Sequence, residues 1–156
     1  MLPSFRLGFL VLPASLRSAA TKAKFVSDWH ASSLAQLALA RFIADGSFAR
    51  HILKVGKVYS QRHAIVKATL ERDFADHLKL IPSNTGLHIA ALAKSAPVER
   101  IASIAGCAAG LGVAVQQLSN FAVSTEQRSG ITIGYGAVTT AKITEGLGRL
   151  RKCFSA

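Results

Sequence analysis

Three features of the sequence predict an α/β fold. Residues 80–156 change period repeatedly and read strand, helix, strand, strand, helix. Ahead of them, from about Phe48 to Phe74, Phe48, Ile52, Val55, Tyr59, Val66 and Leu70 recur at mostly three- and four-residue steps, the stripe of one long amphipathic helix. The chain has 156 residues, 50% apolar and 17% charged, which is enough to bury a core and argues against disorder over most of its length.

The elements follow in order. Leu7-Gly-Phe-Leu-Val-Leu12, entered by Arg6 and ended by Pro13, has the pattern of a short buried strand. Pro13 then opens a helix through about Trp29. No acid occurs from Met1 to Ser27, and Ser18-Ala19-Ala20 follows the apolar run, so a signal or transit peptide competes with this reading. Pro13 cuts the apolar run short, however, and Arg17, Lys22 and Lys24 fall at helical spacing, which suits a strand and then a helix. Ser32 or Ser33 caps a second helix with Leu34, Leu37, Leu39, Phe42 and Ile43 on one broad face. Asp45-Gly46-Ser47 ends it, with Gly46 as the left-handed residue and Ser47 as a cap for the long third helix. Ile81 to Gly86 is a turn cluster, and Leu87 to Leu92 reads as a strand. Pro97 starts a helix through Ala109, Gly110 and Gly112 close it, and Val113 to Gln117 is the next strand. Gly130 to Tyr135 alternates as a strand. Thr139 or Thr140 caps a last helix that places Ile143, Leu147 and Leu150 on the sheet.

Nineteen Lys and Arg against eight Asp and Glu give a net charge of +11, which admits nucleic acid, acidic lipid or an anionic ligand without choosing among them. No stretch approaches the roughly 20 apolar residues that a membrane helix needs. Cys107 and Cys153 make up neither a disulfide framework nor a zinc cluster. The five histidines are scattered, and no Gly-rich phosphate loop or Gly-x-Ser-x-Gly elbow is present. Asp73 and His77 lie one helical turn apart, but two ligands are too few for a metal, and a solvated helix face accounts for them. Arg50, Lys54 and Lys57 form a basic stripe that reads as solvated rather than as a groove reader. Arg6, immediately before a strand, needs an anionic or polar partner, either a bound phosphate or a structural carboxylate.

Taken in order, several blocks resemble a known family. Leu2-Pro3-Ser4-Phe5-Arg6-Leu7-Gly8-Phe9-Leu10-Val11-Leu12-Pro13 is similar to the segment just after the Schiff-base lysine of fold-type I pyridoxal-phosphate proteins, above all the aminotransferase-like domain of MocR-type GntR transcription regulators. Gln36-Leu37 and Phe42 to His51 resemble that family's helix pair, and Tyr59 and Arg62 its inter-lobe helix. Gly86-Leu87-His88, Gly112 to Val115 with Leu118-Ser119, and Gly130 with Ile133-Gly134-Tyr135 resemble the strands of its small lobe.

The resemblance implies the C-terminal part of a fold-type I transferase, divided as a large-lobe remnant (1–46, with the last large-lobe strand and helices), a connecting helix (47–79) and a small α/β lobe (80–156). It implies pyridoxal phosphate as the cofactor of the intact family, with Arg6 at the position that contacts the phosphate. The Schiff-base lysine would fall one or two residues before Met1, so covalent anchoring, transamination and DNA binding are not expected of this chain alone. The substrate-carboxylate arginine would fall near Thr132, where none stands. Arg128 is the nearby substitute, weighed against a solvated loop arginine. His51, Tyr59 and His88 are expected to pack or to orient the lobes. A homodimer, or a paralogue of the same family, is the expected partner, with no membrane contact and a cytoplasmic location. A dimerisation fragment modulating a full-length paralogue, or a targeted small basic protein, is the alternative.

Overall fold

The computed structural model describes residues 6–83, 86–123 and 128–155. Asn84 and Thr85 of the turn cluster, and Leu2 to Phe5 of the first block, lie outside the described residues. The chain divides into two compact units, Met1–Lys54 and Val55–Ala156, with the division falling inside one helix.

In the first unit a short 3-10 turn, Ala14–Leu16, leads into α1 (Arg17–Ser27). Asp28 accepts an ion pair from Lys24, and Trp29, at φ 55°, turns the chain out of the helix with its ring edge-on to Phe25. Ser32 caps α2 (Ser33–Ala44) by accepting from the Ala35 N–H at 3.3 Å. At its far end Gly46 adopts φ 74° and donates to the Ile43 carbonyl, a left-handed helix stop. The cap of α3 (Ser47–Asp73) differs from the expectation. Asp45, not Ser47, supplies it, because the helix already begins at Ser47, whose N–H donates to Asp45 Oδ1 at 2.8 Å. That hydrogen bond, strongest from the Ser47 backbone, holds the Asp45 carboxyl below its ordinary range.

The expected strand over Leu7–Leu12 does not form, which corrects that part of the fold reading. A strand exists through a ladder, and among the described residues of this unit there is no other strand to supply one. Phe9, Leu10 and Val11 are instead more than four-fifths exposed. Neither α1 nor α2 buries a residue.

The second unit carries the core. Its sheet has the order β1-β2-β4-β3, with β1 Leu78–Leu80, β2 His88–Ala93, β3 Gln116–Gln117 and β4 Gly130–Gly134, every pair antiparallel. Ile89 stands opposite Ile133 and Ala91 opposite Ile131, so period two puts the apolar set on one face. The C-terminal turns of α3 (Val66, Leu70), together with α4 (Val98–Gly110) and α5 (Thr140–Ser155), share the buried cluster with that face. Burial of Ile143, Leu147 and Leu150 is as expected. Gly130 is obligatory in β4, since a Cβ there would collide with the Ala91 carbonyl oxygen and Leu118. The short strand β1 went unread because Leu-Lys-Leu is too brief to show a period.

The expected strand over Val113–Gln117 is reduced to Gln116–Gln117. α4 closes in a Schellman arrangement: Gly112, at φ 73°, donates to Ala109 O at 2.9 Å and Val113 to Ala108 O at 2.8 Å. That second hydrogen bond ties Val113 to the helix end and delays sheet pairing until Gln116.

Candidate functional site

Because residues 113–115 do not pair with β4, a groove of about 720 Å³ opens there, within the second unit. Its walls are the run Gly112–Gln116, Thr132 to Gly134 of β4 with Tyr135 just after it, and Lys142, Gly146 and Arg149 on α5, over a floor of Val66, Ile143, Leu147 and Leu150. Arg149 is committed: one guanidinium nitrogen donates to Leu111 O at 3.1 Å and another to Glu145 Oε1 at 2.5 Å. The Lys142 ammonium is exposed at the rim.

Beside the groove, α3 grips the turn after β4. Arg62 Nη1 donates to Gly136 O at 2.6 Å, and its Nε is buried without a hydrogen-bond partner among the described residues. Tyr135 is buried, its hydroxyl donates to Gly86 O at 3.0 Å, and burial pushes its pKa up. The His63 ring meets the Tyr135 ring edge-on at 5.8 Å and its Nε2 lies 3.1 Å from Ser83 O. These contacts fix backbone; they bring no nucleophile to a base.

Of the sequence-predicted residues, Arg6 belongs to the first unit and Arg128 to the second. Arg6 is exposed at φ 49°, within the unpaired run of the first unit. Arg128 is exposed in the loop before β4, and Thr132 lines the groove without it. Asp73 is held below its ordinary range by the Arg72 guanidinium, which donates to both its oxygens, while His77 lies against Phe154. Among the described residues no three His, Cys, Asp or Glu groups gather to hold a metal. His51 packs against Phe42, and Tyr59 lies beneath Arg62. His88 stands opposite Gly134, and a Cβ added there would lie 3.1 Å from its ring. Missed by the sequence reading is the pairing of Cys107 with Cys153 across α4 and α5, 46 residues apart. The available signal was that the two cysteines fall on the two helices that flank the sheet, Cys153 on the buried stripe of α5 and Cys107 beside that of α4.

No family model matches the chain. The fold is nonetheless that of the pyridoxal-phosphate aminotransferases. The α-aminoadipate aminotransferase of Thermus thermophilus, solved with N-(5'-phosphopyridoxyl)-L-leucine, superimposes on 98% of this chain and 39% of its own at TM-score 0.84 and 19% identity. The kynurenine aminotransferase of Pyrococcus horikoshii, solved with PMP, does so over 98% and 37% at TM-score 0.85 and 22% identity. In sequence, the probable rhizopine catabolism regulatory protein MocR of Rhizobium meliloti is 30% identical over 156 residues, all of this chain and 31% of that protein. The HTH-type regulator YhdI of Bacillus subtilis is 27% identical over 155 residues, 99% of this chain and 33% of its own length.

The chain is therefore a relative of the MocR-type GntR-family regulators with an aminotransferase-like fold, and it spans about a third of the length of those curated relatives. Its described residues do not by themselves fit pyridoxal phosphate. Arg6, the one candidate for the phosphate, stands on an exposed run with no described polar side chain bonded to it. No helix among the described residues is long and apolar enough to cross a membrane.

Proposed function

We propose that this chain is the aminotransferase-like part of a MocR-type regulator and that on its own it neither transaminates nor binds DNA. The observation that carries the reading is the alignment of the chain over its whole length with a MocR-type regulator at 30% identity. Residues 1–46 then correspond to a large-lobe remnant, 47–79 to the connecting helix and 80–156 to the small lobe. Arg6 is the residue offered to a cofactor phosphate once the rest of the fold surrounds it, since its fork suits an anion. Arg128 is offered in the same way to a substrate carboxylate. A regulator of transcription belongs in the cytoplasm, and that is the location this reading assigns.

The test is incubation of the folded chain with pyridoxal phosphate and an amino donor. Keto-acid formation equal to that of free cofactor is expected. Turnover above it that disappears on unfolding overturns the reading.

A second reading, as a dimerisation partner of itself or of a full-length paralogue, is favoured by the exposed Phe9, Leu10, Val11 and Leu34 of the first unit. Co-purification with such a paralogue separates it from the first.

A further inference from the structure

We propose that Cys107 and Cys153 form a reversible redox-modification site, a disulfide between α4 and α5 that a small dithiol opens at the Cys107 sulfur and a hydroperoxide closes, with the fold intact in both states. These are the two cysteines of the chain, and their Cα atoms stand 5.9 Å apart. Their settings are opposite. Cys107 is solvent-exposed even while bonded, whereas Cys153 is 2% exposed among the core residues of α5. Exchange requires a thiolate to reach one sulfur of the pair. Cys107 is the surface member of the pair, so the proposed exchange runs through its sulfur without unfolding, and Cys153 is the leaving group.

The helices do not depend on the link to stay together. Ile104 and Ala108 of α4 belong to the same buried cluster as Leu147 and Leu150 of α5, and Arg149 donates to the last carbonyl region of α4 at Leu111 O. Removing the covalent bond therefore leaves the packing in place. What the link adds is a tie between the two sides of the groove, since Gly112–Gln116 leaves α4 shortly after Cys107 and α5 carries the opposite wall.

The chemistry balances in both directions. In opening, one thiolate of the dithiol attacks Cys107 Sγ, the S–S bond breaks, and Cys153 departs as a thiolate that takes a proton from water. The second thiol of the reagent then attacks its own mixed disulfide, releasing Cys107 as a thiol and leaving the reagent oxidised by two electrons. In closing, the Cys107 thiolate attacks the peroxide, the O–O bond breaks, and the departing oxygen takes a proton. Cys153 sulfur then displaces the hydroxyl of the Cys107 sulfenic acid as water. A reducing compartment holds the pair open and an oxidant closes it.

The experiment uses the whole chain and dithiothreitol, followed by acid quench, alkylation in denaturant and intact mass. Two alkyl groups are expected after the dithiol and none after hydrogen peroxide, with circular dichroism unchanged between the states. The reduction rate is expected not to rise with sub-denaturing urea, and the reduced form to melt lower by roughly 5 °C or more, because the link constrains the unfolded chain. In Cys153→Ala, oxidised glutathione should modify Cys107 without denaturant, while Cys107→Ala should stay unmodified until it unfolds. Reduction that proceeds only as the chain unfolds overturns the proposal, as does equal modification of the two variants. Should Cys153→Ala fail to fold, the urea dependence of reduction in the wild-type chain decides alone, since a closed structural disulfide would track unfolding.

Discussion

Tyr135 is the side chain through which the turn after β4 is held. Its hydroxyl donates to Gly86 O, its N–H to Leu87 O at 2.9 Å, and its neighbour's carbonyl accepts from Arg62. Replacing it by phenylalanine keeps the ring and loses one hydrogen bond, so Tyr135→Phe should cost about 1 kcal/mol in urea unfolding. The pH dependence has a definite sign. Burial raises the folded pKa, so the stabilisation is complete below the ordinary tyrosine value and is lost as pH rises through the raised one. Alkaline melts of the wild-type chain should fall in that window, and those of Tyr135→Phe should fall less. Equal falls would mean that another group governs the alkaline limit.

The helix ends show what an element takes from its own sequence. α2 and α4 both stop at a glycine of positive φ, Gly46 and Gly112, a position at which a Cβ is strained. Gly112→Ala should therefore lose about 1 kcal/mol, read from the midpoint of chemical unfolding, with no loss of space as a cause, since the nearest atom to the added Cβ is 3.6 Å away. An unchanged midpoint would show that the turn after α4 relaxes. Helix periods and stops were readable because they depend on neighbours three and four residues away. Strands were read less well. β4 was found from its alternation and β2 as the run after a turn cluster, but Val113–Val115 and Leu7–Leu12 have strand composition and no ladder. Their pairing depends on which chain lies beside them, and period alone carries no word of that.

Across the whole molecule, burial is unevenly divided. The buried apolar cluster lies entirely in the second unit, whereas α1 and α2 bury nothing and Phe9, Leu10, Val11, Trp29 and Leu34 are all well over half exposed. Water-exposed apolar runs of that kind associate, and an unpaired extended segment pairs with any free edge. Size-exclusion chromatography with light scattering should show dimers or larger species. The double change Leu10→Lys, Val11→Lys should shift them towards monomer without altering the melt of the second unit. A monomeric wild-type chain with a sharp melt would contradict this. The net charge of +11 opposes association at low salt, so the shift should be clearer at higher ionic strength.

The sequence by itself determined the α/β class, the three N-terminal helices, α4 and α5 with their buried stripe, and the family resemblance, because period, caps and ordered blocks are local properties of the chain. Tertiary structure decided what locality does not contain. It paired Cys107 with Cys153 across two helices. It also opened a groove between the run after α4, the end of β4 and α5, and left Arg128 exposed outside it. Each of these follows from which elements come to lie side by side, a matter of packing between distant segments.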